Sequence, residues 1–107
     1  MVACGCKPQL NTMTAIPPQL TEIRHQIDEL DAELVRLLAK RQMLIDRVIP
    51  IKRDADLPAL IQDRADQVID RAVEQARSAG LDPELARLIW SAMVEWFIRH
   101  EERKLTK

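Results

Sequence analysis

The stretch EIRHQIDELDAELVRLLAKRQMLIDRVIPIKRD, residues 22–54, contains the proline whose reading decides the fold. Ile23, Leu30, Leu37, Leu44 and Ile51 recur every seven residues, and Ile27, Leu34 and Val48 form a second apolar row. Two rows at that spacing describe a coiled-coil-like helical seam. Ile51 keeps phase with Leu44 across Pro50, so the helix is predicted to run through the proline. An interior proline costs about 3 kcal/mol, because it removes a backbone hydrogen bond and crowds the preceding turn. The expectation is a kink near Pro50 on the outer face, tilting Lys52, rather than a stop. The stop is placed at DADLP, where Pro58 restricts Leu57 to an extended conformation.

Working outward, a second helix is expected from about Pro58 to Ala79, with Ile61, Ala65, Val68, Ala72 and Ala76 at helical spacing and Gly80 as its C-terminal cap. A third opens at LDPEL, with Asp82 as N-cap and Pro83 in the first turn. It carries two apolar stripes, Leu85, Ile89, Met93 and Trp96 on one side and Trp90, Val94 and Phe97 on the other. Two stripes imply two neighbours. The composition agrees: with two glycines, three aromatic residues and 31% charged residues in 107, long helices are favoured over sheets. The fold class is all-α, with three helices of which the first is very long.

That first helix would extend roughly 50 Å at 1.5 Å per residue, more than two shorter helices can cover. An intertwined helical homodimer is therefore expected, its long helices packed along each other. Residues 1–18, closed by IPPQL, are expected to be a disordered leader, and 19–107 the helical domain. Cys4 and Cys6 supply at most two of the usual four zinc ligands, and His25 and His100 stand without ligand spacing, so no metal and no cofactor are expected.

A net charge of −1, composed of many charges of both signs, offers no field to recruit nucleic acid, and the alternating charges of QDRADQVIDRAVEQAR read as a solvated face. No apolar run approaches the roughly 18 residues that span a bilayer, and the N-terminus lacks a basic start followed by an apolar stretch. The expected location is cytoplasmic, without a membrane or nucleic-acid partner.

One position breaks the seam. Between Leu34 and Val48 stands Arg41, where the repeat asks for an apolar residue. A guanidinium there is costly unless something satisfies its donors, although a polar seam residue can also serve only to fix register. Arg24 and Lys52 flank the seam on the same packed side. On the helix rise, Arg24 lies about 25 Å from Arg41, whereas Arg41 and Lys52 are about 16 Å apart on nearly one face. Arg41 and Lys52 can bracket a small molecule. Arg24 must then serve the other subunit. The pattern points to two shared cationic sites per dimer, each suited to a small dicarboxylate.

These stretches, together with IK, DRADQVIDRA and GLDPELARLIW, closely resemble the all-helical chorismate mutase family, including its isochorismate pyruvate lyase branch, from Leu20 to about Glu102. The resemblance implies an intertwined helical dimer in which Arg24 reaches the partner's site. It implies that Arg24 and Arg41 clamp two substrate carboxylates and that Lys52 contacts a carboxylate and the ether oxygen. Arg64 would lie near the ring and bridge carboxylate, unless it is one more solvated charge of that helix. The reaction, chorismate to prephenate, breaks an ether bond as a carbon–carbon bond forms and needs no nucleophile or cofactor. Arginines select the reactive conformer, and a lysine meets the charge developing on the ether oxygen.

The chain departs from the family pattern in two places. Where bacterial mutases of this type hold the ring hydroxyl with a glutamate stands Ala65, and the nearby acidic position is Ile61. Both, with the aromatic pair Trp96 and Phe97, resemble the lyase branch, which yields salicylate and pyruvate; the aromatics read equally as core. Glu101 occupies the place of a glutamine that donates to the ether oxygen. A carboxyl group donates only when protonated, a form that burial favours, so the rate should fall as pH rises. Alternatively, Glu101 pairs with Arg64 or another cation and repels substrate. The activity expected first is chorismate mutase, then the lyase, then a non-catalytic helical dimerisation module.

Overall fold

A computed structural model of the chain describes residues 15–106. Its elements are α1 (Pro18–Asp54), α2 (Gln62–Ala79) and α3 (Pro83–Leu105). The described residues are thus all-α, and the first helix has 37 residues with Pro50 inside it. Pro50 is solvent-exposed and the helix continues to Lys52 and beyond, as the unbroken seam requires. The N-terminal cysteines and most of the expected leader lie outside the described residues. Pro18 is the first helical residue, and the Pro17 carbonyl accepts the first turn's bond from Leu20 N–H at 3.0 Å.

The chain divides into two compact units, one ending at Lys40 and the other running from Arg41 to Lys107. In the first, the α1 residues up to Lys40 are all exposed, including the apolar row Ile23, Ile27, Leu30, Leu34 and Leu37. A single copy of the chain leaves that row in water.

In the second unit, α2 and α3 pack directly against each other. Ala72, Val73 and Ala76 of α2 and Ala86 and Phe97 of α3 are buried, and the three alanines let the backbones approach closely. Val73 and Ala86 are core positions that the apolar periodicity had not marked. Of the two α3 stripes, Trp90, Val94 and Phe97 face inward, while Leu85, Ile89 and Trp96 stay exposed. Gly80 caps α2 in the left-handed region (φ 85°), with Leu81 N–H bonded to the Ala76 carbonyl at 2.9 Å. The Asp82 side chain accepts from Glu84 N–H at 2.9 Å to start α3.

The start of α2 differs from the sequence expectation by one turn. The helix begins at Gln62 rather than Pro58. A helix from Pro58 would use the Ala59 carbonyl for a backbone N–H four residues on; instead that carbonyl accepts from Lys52 Nζ at 2.7 Å, and Ala59 is buried. α1 itself ends in a paired turn, Leu57 N–H to the Lys52 carbonyl (2.8 Å) and Asp56 N–H to the Arg53 carbonyl (3.2 Å). This turn places Asp56 at φ 59°, a region that favours glycine.

Candidate functional site

Residues of α1, the α1–α2 loop, α2 and α3 enclose a pocket of about 220 Å³ within the second unit. Its lining includes Arg41, Lys52, Ile61, Arg64, Ala65, Phe97 and Glu101. These are all of the sequence-derived site residues except Arg24, which belongs to the other unit and is exposed. The rest of the wall is apolar: Ile45 and Val48 from α1, Val68 from α2, and Val94 and Ile98 from α3. A more open depression on α2 is lined by Asp63, Asp66, Asp70 and Glu74 together with Arg71, and its excess of carboxylates would repel an anion.

Arg41 is half-buried, and its Nη1 is buried with no hydrogen-bond partner among the described residues. Its guanidinium carbon lies 5.4 Å from the centre of the Phe97 ring. Burial first, and the like charge of Arg64 second, hold this guanidinium below its ordinary pKa. An anion in the pocket would relieve both effects. The break in the seam is therefore a cation on a packed face with a free donor.

Lys52 Nζ donates to Glu101 Oε1 and to the Ala59 carbonyl, both at 2.7 Å. Both charged side chains are nearly buried, so the pair interacts through low dielectric rather than water. Lys52 is thus the cation that engages Glu101. Arg64 instead donates to the Gln67 side chain one turn along α2, at 2.7 Å, and is exposed. Ile61 and Ala65 contribute no polar atom from their side chains, so the part of the wall they form cannot hydrogen-bond a ring hydroxyl through them.

Two features escaped the sequence reading. The Ala59 carbonyl, as a backbone group in a loop, gives no residue-type signal. His100 pairs with Asp46 across α1 and α3 at 2.7 Å and stacks on Trp96, with ring centres 5.2 Å apart. The available signal was Trp96 four residues before His100 on one helix face. Among the described residues no helix is long and apolar enough to cross a membrane, and no three His, Cys, Asp or Glu side chains form a metal-binding group.

Comparison with known proteins agrees with the helical pattern. A family model described as chorismate mutase type II matches residues 23–102. The chorismate mutase of Methanocaldococcus jannaschii is 29% identical over 77 residues, which is 72% of this chain and 78% of that protein. The T-protein of Enterobacter agglomerans is 34% identical over 67 residues, 63% of this chain but 18% of that protein. The bifunctional chorismate mutase/prephenate dehydratase of Aquifex aeolicus is 36% identical over 53 residues, 50% of this chain and 15% of that protein. The chain spans most of the first relative and under a fifth of the other two.

Proposed function

Because the chain belongs to the chorismate mutase type II family, we propose that it rearranges chorismate to prephenate in the pocket around Arg41. The observation that carries this reading is the buried, unpartnered Arg41 Nη1 on a pocket that also holds Lys52 and Arg64. Three cations against the single Glu101 carboxylate leave an excess of positive charge, which suits a dianion. Arg41 holds one substrate carboxylate and Lys52 faces the ether oxygen. As the carbon–oxygen bond breaks and the carbon–carbon bond forms, charge grows on that oxygen beside the ammonium group. The apolar wall restricts the substrate to the compact conformer that reacts. Glu101 accepts from Lys52 and holds that ammonium group in place beside the oxygen.

A second copy of the chain completes the site in this reading. The exposed row from Ile23 to Leu37 needs a partner to leave water, and the matching row of another copy has the same repeat. Arg24, on that stretch, would supply the second carboxylate clamp to the partner's pocket.

The apolar side chains of Ile61 and Ala65 favour a second reaction, the cleavage of isochorismate to salicylate and pyruvate. The deciding experiment offers purified protein chorismate and isochorismate separately and identifies the products. Prephenate from chorismate supports the mutase. Salicylate with pyruvate from isochorismate supports the lyase, and neither product leaves a non-catalytic helical dimer.

A further inference from the structure

Neither Asp46 nor His100 lines the pocket, yet His100 meets Phe97, which does. His100 Nε2 lies 2.7 Å from Asp46 Oδ1; the imidazole is nearly buried and the carboxylate half-exposed. A carboxylate only accepts, so Nε2 carries the proton in this bond. The imidazole stacks on Trp96, at an interplanar angle of 14°, and presents an edge contact to Phe97 with centres 6.1 Å apart. Trp96 meets Phe97 edge-on at 4.9 Å. Phe97 is thus held by two aromatic neighbours, and its face receives the Arg41 guanidinium.

Two further observations make this arrangement consequential. Among the described elements, only α2 and α3 approach at backbone-packing distance, so α1 is tied to α3 through side chains. The ties are Asp46–His100, Lys52–Glu101 and Arg53 to the Lys104 carbonyl. In addition, Arg41 Nη1 has no hydrogen bond to orient it, so the Phe97 face is what the guanidinium rests on. A planar two-pronged donor recognises a carboxylate only when its plane is set correctly.

Building on the mutase reading above, we propose that His100 is a positioning residue: tied to Asp46 across α1 and α3, it fixes the Phe97 ring and thereby the plane in which Arg41 meets a substrate carboxylate. Without the imidazole, Phe97 gains room to turn and the guanidinium loses its support. Asp46 acts at one remove, by holding the imidazole in place.

The experiment compares wild type with Asp46→Ala, His100→Ala, His100→Gln and the Asp46→Ala/His100→Ala double variant, using chorismate as the probe and urea unfolding as the control. A misaligned Arg41 weakens binding in ground and transition states alike, so KM should rise by about tenfold with kcat little changed. Loss of folded protein alone would lower apparent kcat at constant KM. The double variant should be no worse than His100→Ala, because the two residues act as one unit. His100→Gln keeps an N–H for Asp46 and should recover part of the loss. In a Phe97→Leu background, His100→Ala should cost nothing further. An unchanged KM in both Asp46→Ala and His100→Ala, or a full His100→Ala effect in the Phe97→Leu background, overturns the proposal. Asp46→Ala keeps the whole aromatic stack, so it remains informative if His100→Ala fails to fold. Failure of the wild type itself to turn over chorismate is a separate result that removes the mutase reading, and this role with it.

Discussion

Replacing Arg41 with methionine keeps an unbranched stem of similar reach and deletes the guanidinium whose Nη1 is buried without a partner. An unsatisfied buried donor costs about 1–3 kcal/mol. Against that stands the contact with the Phe97 ring, 5.4 Å away, worth about 0.5–1 kcal/mol for a cation over an aromatic face. The nearby positive charge of Arg64 adds to the penalty. The balance is a stabilisation of about 1 kcal/mol in Arg41→Met. With a urea dependence of about 1–2 kcal/mol per molar for a small protein, the unfolding midpoint should rise by roughly 0.5–1 M. Unfolding should be followed at one fixed protein concentration, because association of chains contributes to stability. An arginine keeps its charge across the ordinary pH range, so the gain should be flat in pH. The kcat/KM for chorismate should meanwhile fall by about ten- to a hundredfold, carried by KM, the scale for losing a charge-assisted hydrogen bond of about 1.5–3 kcal/mol. A lower midpoint together with preserved kcat/KM would refute the reasoning, since it would make Arg41 a structural cation with no substrate to hold.

Other consequences can be measured directly. Glu101→Gln keeps a side-chain oxygen that can accept from Lys52 and removes the one negative charge on the pocket lining, so the KM for chorismate should fall; an unchanged KM counts against the charge argument. Arg24→Ala and Arg41→Met should each be nearly inactive at subsaturating chorismate, yet mixing and re-equilibrating them should restore roughly a quarter of wild-type sites, since half the dimers would then carry one intact pocket. No recovery would mean that Arg24 does not cross to its partner. Asp56→Gly should stabilise the chain by about 0.5–1 kcal/mol in the same urea assay, because Asp56 sits at φ 59°; a destabilised variant would show that the aspartate side chain contributes more than the backbone strain costs.

Much of the fold was legible because it is written in short-range periodicity. The phase from Leu44 to Ile51 already carried α1 through Pro50. Gly80, Asp82 and Pro83 announced the turn between α2 and α3, since their backbone preferences are properties of single residues. Arg41 was equally visible, as a charge in an apolar row that demands compensation wherever the chain folds. Contacts between separate elements were not visible in this way. Whether Lys52 or Arg64 takes Glu101, and whether the Ala59 carbonyl serves a helix or a lysine, depends on distances that packing alone establishes. The same holds for Asp46 and His100, which are 54 residues apart in sequence and meet only across α1 and α3. Spacing along a helix is set by the covalent chain and the backbone hydrogen bonds; pairing between helices is set by which side chains fill the space between them.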